Sequence, residues 1–147
     1  MLIYDIVSKC EHMTSEDMTR FFKKDKFAEY NGIELIDASD GHARASMKIT
    51  PNHLNGLGIL HGGAVFALAD LTFAAASNSR GNVAVAINAN ISYMSSASEG
   101  TIYAEAKEIS VNHKIGTYTI DITNEKGEML AIFQGMVYRK KERVDQL

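Results

Sequence analysis

Two features of this sequence could do chemistry by type and spacing: the run His61-Gly62-Gly63 and, further along the same predicted helix, Asp70. Paired glycines where a loop enters a helix allow close approach to the backbone, and the first helical N–H groups are unpaired at the positive end of the dipole. Such an end binds a partial negative charge. A Gly62 N–H aimed at a carbonyl that becomes an oxyanion would stabilise that transition state by about 3 to 4 kcal/mol. The same glycines serve equally as a helix start built for tight packing. Asp70 interrupts the apolar run from Gly62 to Ala76, where a buried carboxylate is costly unless something pairs with it. Capping a neighbouring backbone or pairing with a lysine would satisfy it. In a mostly apolar site its pKa would instead rise, which suits a general base or a nucleophile.

Gly62 and Asp70 lie eight residues apart on one helix, which separates their Cα atoms by about 12 Å along its axis. One carbonyl carbon cannot comfortably touch both. If both act on one substrate, the glycine must come from one subunit and the aspartate from its neighbour, giving two equivalent composite sites in a two-fold dimer.

The elements that must position these groups are legible from periodicity. Thr14-Ser15-Glu16-Asp17 has the form of a capping box, and Met18, Phe21 and Phe22 follow at helical spacing, so a first helix is expected to run to about Ala28 and to end at Asn31-Gly32. Segments Ile33 to Ser39 and His42 to Thr50 flank the turn pair Asp40-Gly41, predicting an antiparallel hairpin. After a glycine-bearing loop, Gly63 to Ser79 is apolar nearly all round, the pattern of a buried helix. Four strands follow: Val83 to Tyr93, Thr101 to Val111, Ile115 to Thr123 and Met129 to Arg139. The order predicts one α+β domain over residues 1–147, an antiparallel sheet wrapped around a single central helix, with an N-terminal helical segment (1–30) and a charged tail (140–147). The sheet's other face and the edge of the long third strand need cover, so a homo-oligomer is expected, a dimer at least.

Composition narrows the partners. The 147 residues carry a net charge of −3, which removes the usual electrostatic argument for nucleic-acid or anionic-membrane binding. Cys10 is the single cysteine, so no internal disulfide can form, and the start Met1-Leu2-Ile3-Tyr4-Asp5 lacks the form of a signal peptide. A cytoplasmic protein is expected. The histidines His12, His42, His53, His61 and His113 show no close paired spacing of a zinc helix, so neither a metal nor another cofactor is expected. Cysteine nucleophilic chemistry is disfavoured because Cys10 is far in sequence from the other candidates.

Taken with Leu54-Asn55-Gly56, the segments His61-Gly62-Gly63, Leu68-Ala69-Asp70 and Asn78-Ser79-Arg80-Gly81 resemble those of the phenylacetate-degradation-type hotdog-fold acyl-CoA thioesterases. Ile91-Ser92-Tyr93, Lys114-Ile115-Gly116 and Phe133-Gln134-Gly135 extend the likeness over most of the chain. The resemblance implies a hotdog fold and hydrolysis of an aryl- or medium-chain acyl-CoA, CoA entering only as part of the substrate. It implies that Asp70 activates water or attacks directly, that Gly62 supplies the oxyanion N–H, that Asn55 positions water or thioester, and that His61 orients the carbonyl. A further histidine reading is a residue that fixes the loop. Gly63 and Tyr93 fall in the implied substrate contacts. So does Ala86, which stands where some relatives carry a serine or threonine; Lys24-Asp25 stands where some carry an asparagine. Arg80, Lys114 and Arg139 are the cations expected near the CoA phosphates, and Gly81, Asn82 and Val83 could hold pantetheine through a strand edge. Phe73, Ala74, Tyr93 and Met94 could shape the acyl pocket or form ordinary core. Two other readings stay open: hydroxyacyl dehydration using His61 and Asp70, and a non-catalytic acyl-CoA-binding protein. A tetramer of paired dimers is compatible with the family.

Overall fold

The computed structural model describes residues 13–147, so Cys10, His12 and the start of the chain lie outside it. Helix α1 (Ser15–Phe22) begins at the expected capping box: the Thr14 hydroxyl accepts the Asp17 N–H, and the Asp17 carboxylate accepts the Thr14 N–H. The single helix expected to reach Ala28 is two helices instead. The Asp25 carboxylate accepts the Ala28 N–H at 2.9 Å and starts α2 (Lys26–Tyr30) afresh. An aspartate is among the best N-caps, so this local bond competes with helix continuation and wins.

Strands β1 (Ile33–Ser39) and β2 (His42–Lys48) form the expected hairpin, with Asp40 at φ 49° and Gly41 at φ 82° in the left-handed conformation that tight hairpins require. Helix α3 (Gly62–Asn78) follows, then β3 (Asn82–Tyr93), β4 (Thr101–Val111), β5 (Ile115–Thr123) and β6 (Met129–Arg143). The sheet is antiparallel throughout, in the order β1-β2-β4-β5-β6-β3, with α3 packed against β1 to β6 on one face. This is the hotdog arrangement. Strand β3 is left at a sheet edge, where Val85 and Ile87 are 40% and 54% exposed.

Strand β6 runs past Arg139, its expected end. Arg143 pairs with Asn82, the Val144 N–H donates to the Gly81 carbonyl at 2.8 Å, and the Val144 side chain is buried. Much of the expected charged tail is therefore strand, because the start of β3 offers it backbone partners.

The core is set by one wedge. Phe73 of α3 packs against Tyr118 of β5 and Phe133 of β6, with ring centroids 5.8 and 5.5 Å away, and all three are almost fully buried. Gly135 faces this ring: a Cβ there would stand 2.5 Å from it. The opposite side of α3 departs from expectation. Gly63, Phe66, Ala67, Asp70 and Ala74 recur every three or four residues and are exposed or half-buried, so the helix is not covered all round by its own chain.

Gly135→Ala should overpack the wedge and lower stability by about 1 to 3 kcal/mol. The check is a lower urea midpoint at an unchanged denaturant slope.

Candidate active site

The turn that opens α3 leaves one donor unengaged. His61 is the N-cap, and its Nδ1 accepts the Gly63 N–H at 2.8 Å. The His61 carbonyl accepts the Ala64 and Val65 N–H groups at 2.9 and 3.3 Å. The Gly62 N–H donates to no group among the described residues. At the end of β3 the Tyr93 hydroxyl donates to the Gly62 carbonyl at 3.0 Å, which fixes the orientation of that turn. The predicted glycine pair thus splits in role: Gly62 offers an N–H at the positive helix end, while the Gly63 N–H is committed to the cap. Because Nδ1 of His61 accepts, the neutral ring carries its proton on Nε2.

The preceding loop is held by two residues. The Asn55 side-chain oxygen accepts the Leu57 and Ile59 N–H groups at 2.9 and 3.3 Å, and the Asn55 N–H donates to the Ile59 carbonyl at 2.8 Å. Its side-chain NH₂ donates to no group among the described residues. His53, considered in the sequence only as a metal ligand lacking a partner, is the second. It is buried, its Nδ1 accepts the Thr50 N–H at 3.0 Å, and its Nε2–H donates to the Asn31 carbonyl at 2.8 Å. Its own carbonyl accepts the His61 N–H at 2.7 Å. One ring therefore ties the end of β2 and the end of α2 to the residue that caps α3. No spacing rule would have found it, since its partners are all backbone groups.

Asp70 stands on the uncovered stripe of α3 and is exposed in the single chain, not buried as its apolar surroundings in sequence suggest. A sheet covers only one side of a helix, and this residue lies on the other. Part of its surface nonetheless is withdrawn from water. That desolvation, and then the negative charge of Asp25 at the α2 N-cap, hold the Asp70 carboxyl above its ordinary pKa.

The cations expected to hold phosphates are disposed differently from one another. Arg80 forms a two-pronged pair with Glu108, Nε and an outer nitrogen donating to the two carboxylate oxygens at 2.9 and 2.7 Å. The Tyr118 hydroxyl donates to the same carboxylate at 2.9 Å. Burial pushes the Glu108 carboxyl up, but the bonds from Arg80 and Tyr118 with the charges of Arg80 and Arg139 outweigh it and leave its pKa lowered. Arg80 is thus part of an internal clamp. Arg139 donates to the Asn112 carbonyl and, at 3.2 Å, to the Asn82 side-chain oxygen. Lys114 is exposed in the β4–β5 turn and makes no ion pair among the described residues. Gly81 adopts φ +97° beneath the Arg143 guanidinium, so the Gly81-Asn82-Val83 segment is shaped by β6 contacts as well as by its place at the sheet edge. Ala86 is exposed on β3, Phe73 is core, and Met94 is half-exposed beside Gly62.

The sequence and the fold are shared with known proteins. The family model of the thioesterase superfamily matches residues 57–131. A putative esterase of Archaeoglobus fulgidus is 38% identical over 92% of this chain and 88% of its own. The acyl-coenzyme A thioesterase PaaI of Escherichia coli is 33% identical over 87% of this chain and 92% of its own. The solved structure of the E. coli PaaI protein superimposes with a TM-score of 0.81 over 84% of this chain and 91% of that one.

Two outcomes follow from the site's geometry. Asp25→Asn keeps a good N-cap while removing the charge that raises the Asp70 pKa. The Asp70 carboxyl should then titrate at lower pH, which an NMR-monitored pH titration of its side chain reads. His53→Ala strands the Thr50 N–H and the Asn31 carbonyl and should cost about 2 to 4 kcal/mol of stability in denaturant titration.

Proposed function

The chain belongs to the thioesterase superfamily, in its phenylacetate-degradation-type hotdog branch, and from that premise we propose that this thioester hydrolase is a cytoplasmic acyl-CoA thioesterase using Asp70 and the Gly62 N–H on aryl- or medium-chain substrates. The observation that carries the reading is the first turn of α3, where Gly63, Ala64 and Val65 are all bonded to His61 and the Gly62 N–H donates to no group among the described residues. A donor fixed in that way needs no reorganisation when negative charge develops on the thioester oxygen.

In the proposed reaction the Asp70 carboxylate removes a proton from water as the water oxygen attacks the thioester carbon. The carbonyl oxygen takes the negative charge against the Gly62 N–H. Collapse re-forms the carbonyl and breaks the C–S bond, and the departing CoA sulfur takes the proton from Asp70. Direct attack by the carboxylate, giving an anhydride that water then opens, uses the same two groups. The raised pKa of Asp70 makes its carboxylate the stronger base in either route. The NH₂ group of Asn55, which donates to no group among the described residues, supports a role in holding the water or the thioester, and the Nε2–H of His61 one in orienting the carbonyl. Lys114 is the cation we assign to the CoA phosphates, because Arg80 is engaged by Glu108. CoA enters only as part of the substrate, and the groups named are sufficient without a cofactor.

The site is proposed to be composite. Gly62 and Asp70 sit at opposite ends of eight helical residues, about 12 Å apart. The uncovered stripe of α3 carrying Asp70 and the exposed β3 edge with Val85 and Ile87 are the surfaces a second copy would cover. A two-fold dimer then brings the partner's α3 start to Asp70, and further pairing of dimers gives a tetramer.

Asp70→Ala should lower CoA release from acyl-CoA by about 10² to 10⁴-fold, followed with a thiol reagent. Binding without release by the unaltered protein would sink the hydrolase reading. Gly62→Pro removes the N–H while suiting the first helical position, and should cost about 10² to 10³-fold. Mixing the two inactive variants under conditions of subunit exchange should restore part of the activity; none restored would refute shared sites.

A further inference from the structure

Tyr93 closes β3 and is anchored there by β6. It pairs with Ala131, and the next residue, Met94, donates its N–H to the Leu130 carbonyl at 2.8 Å. From that position the phenol reaches across to the first residue of α3. Its hydroxyl donates to the Gly62 carbonyl at 3.0 Å, and a Cβ built on Gly62 would stand 3.1 Å from the phenol oxygen. Tyr93 is 53% exposed and lies outside the hydrophobic core, so the contact with Gly62 is the specific bond its side chain makes.

A glycine places no side-chain restraint on the two peptide planes that meet at its Cα. The plane before the Gly62 Cα carries the N–H that donates to no group among the described residues, and it is held through the His61 carbonyl, which accepts from Ala64 and Val65. The plane after it is held at its N–H end by the His61 ring and at its carbonyl end by Tyr93. A carbonyl has two lone pairs, so the phenol bond adds to the helix ladder without displacing it. His61 belongs to the turn and moves with it. Tyr93 ties the turn to the sheet.

We infer that Tyr93 is a positioning residue for the reaction: its hydroxyl, braced by the pairing of β3 with β6, fixes the rotation at Gly62 and so the direction in which the Gly62 N–H points. The bond lies within one chain, so it acts in the same way whichever copy supplies the carboxylate. The contact also bears on why residue 62 is a glycine. An alanine would keep the N–H, but its Cβ would crowd the phenol and push the hydroxyl off the carbonyl.

This inference rests on the thioesterase reading, and two readouts separate them. Tyr93→Phe removes the hydroxyl and keeps the ring. With phenylacetyl-CoA and octanoyl-CoA as substrates it should lower kcat by about ten-fold, the scale of a modest misplacement of a catalytic group, and leave KM within about two-fold. In a Gly62→Pro background there is no N–H to direct, and the same substitution should change kcat by less than about two-fold. Hydrogen exchange followed by NMR reads the turn directly: the Gly63 amide, bonded to the His61 ring, should exchange about ten-fold faster in Tyr93→Phe. An equal loss of kcat in both backgrounds, a rise in KM at unchanged kcat, or an unaltered Gly63 exchange rate overturns the positioning role. A wild type inert on a panel of aryl and alkyl esters overturns the thioesterase reading, and the exchange comparison by itself then decides whether Tyr93 positions the turn.

Discussion

A single helix laid on one open sheet cannot bury its whole circumference, and much of this molecule follows from that constraint. The sheet takes the side of α3 that carries Leu68, Phe73 and Ala76, with Phe73 locked between Tyr118 and Phe133 and Gly135 leaving room for its ring. What remains is a stripe from Gly63 through Phe66, Ala67 and Asp70 to Ala74, apolar except for one carboxylate. Burying such a stripe against a second copy is the ordinary way to remove it from water. The same step would desolvate Asp70 further and push its pKa up in the direction that its partial burial already takes.

The opposite end of the helix is governed by donor satisfaction. A helix start presents several N–H groups that must find partners. Here the ring and carbonyl of His61 take those of Gly63, Ala64 and Val65, and the position of His61 is in turn set by the His53 carbonyl. His53 is itself anchored to Thr50 and Asn31, so the turn that opens α3 is braced against the segments that follow β2 and α2. Rigid placement matters because a donor that must rotate into place yields part of its stabilisation to reorganisation. At the far end of α3 the Arg80–Glu108–Tyr118 cluster plays a comparable bracing role, joining the helix end to β4 and β5.

Charge is distributed unevenly between two clefts beside α3. The groove by Asp25 is lined with acids and a lysine, and the Asp25 charge acts on Asp70; the cleft at Gly62 has apolar walls and hydroxyls. An apolar wall at the oxyanion end strengthens the N–H interaction.

Much of the fold was legible before any coordinates. The limits expected for β4 and β5 are the observed ones, the Asp40-Gly41 pair located the hairpin, and the Thr14–Asp17 box located the start of α1. These signals are local, and local structure obeys them. The split of the first helix at Asp25 and the extension of β6 to Arg143 were harder to read, because one depends on a cap competing with a helix and the other on a strand start that supplies partners 61 residues earlier in the chain. Residue types and spacing singled out Asp70, Gly62, His61 and Asn55, and geometry along one helix already separated the first two. Only the tertiary structure decided which glycine N–H stays free, that Arg80 belongs to Glu108, that His53 braces the turn, and that Asp70 faces away from the sheet. Each of these turns on which groups long-range packing brings within hydrogen-bond reach, and that is a property of the assembled sheet and helix that no spacing along the chain contains.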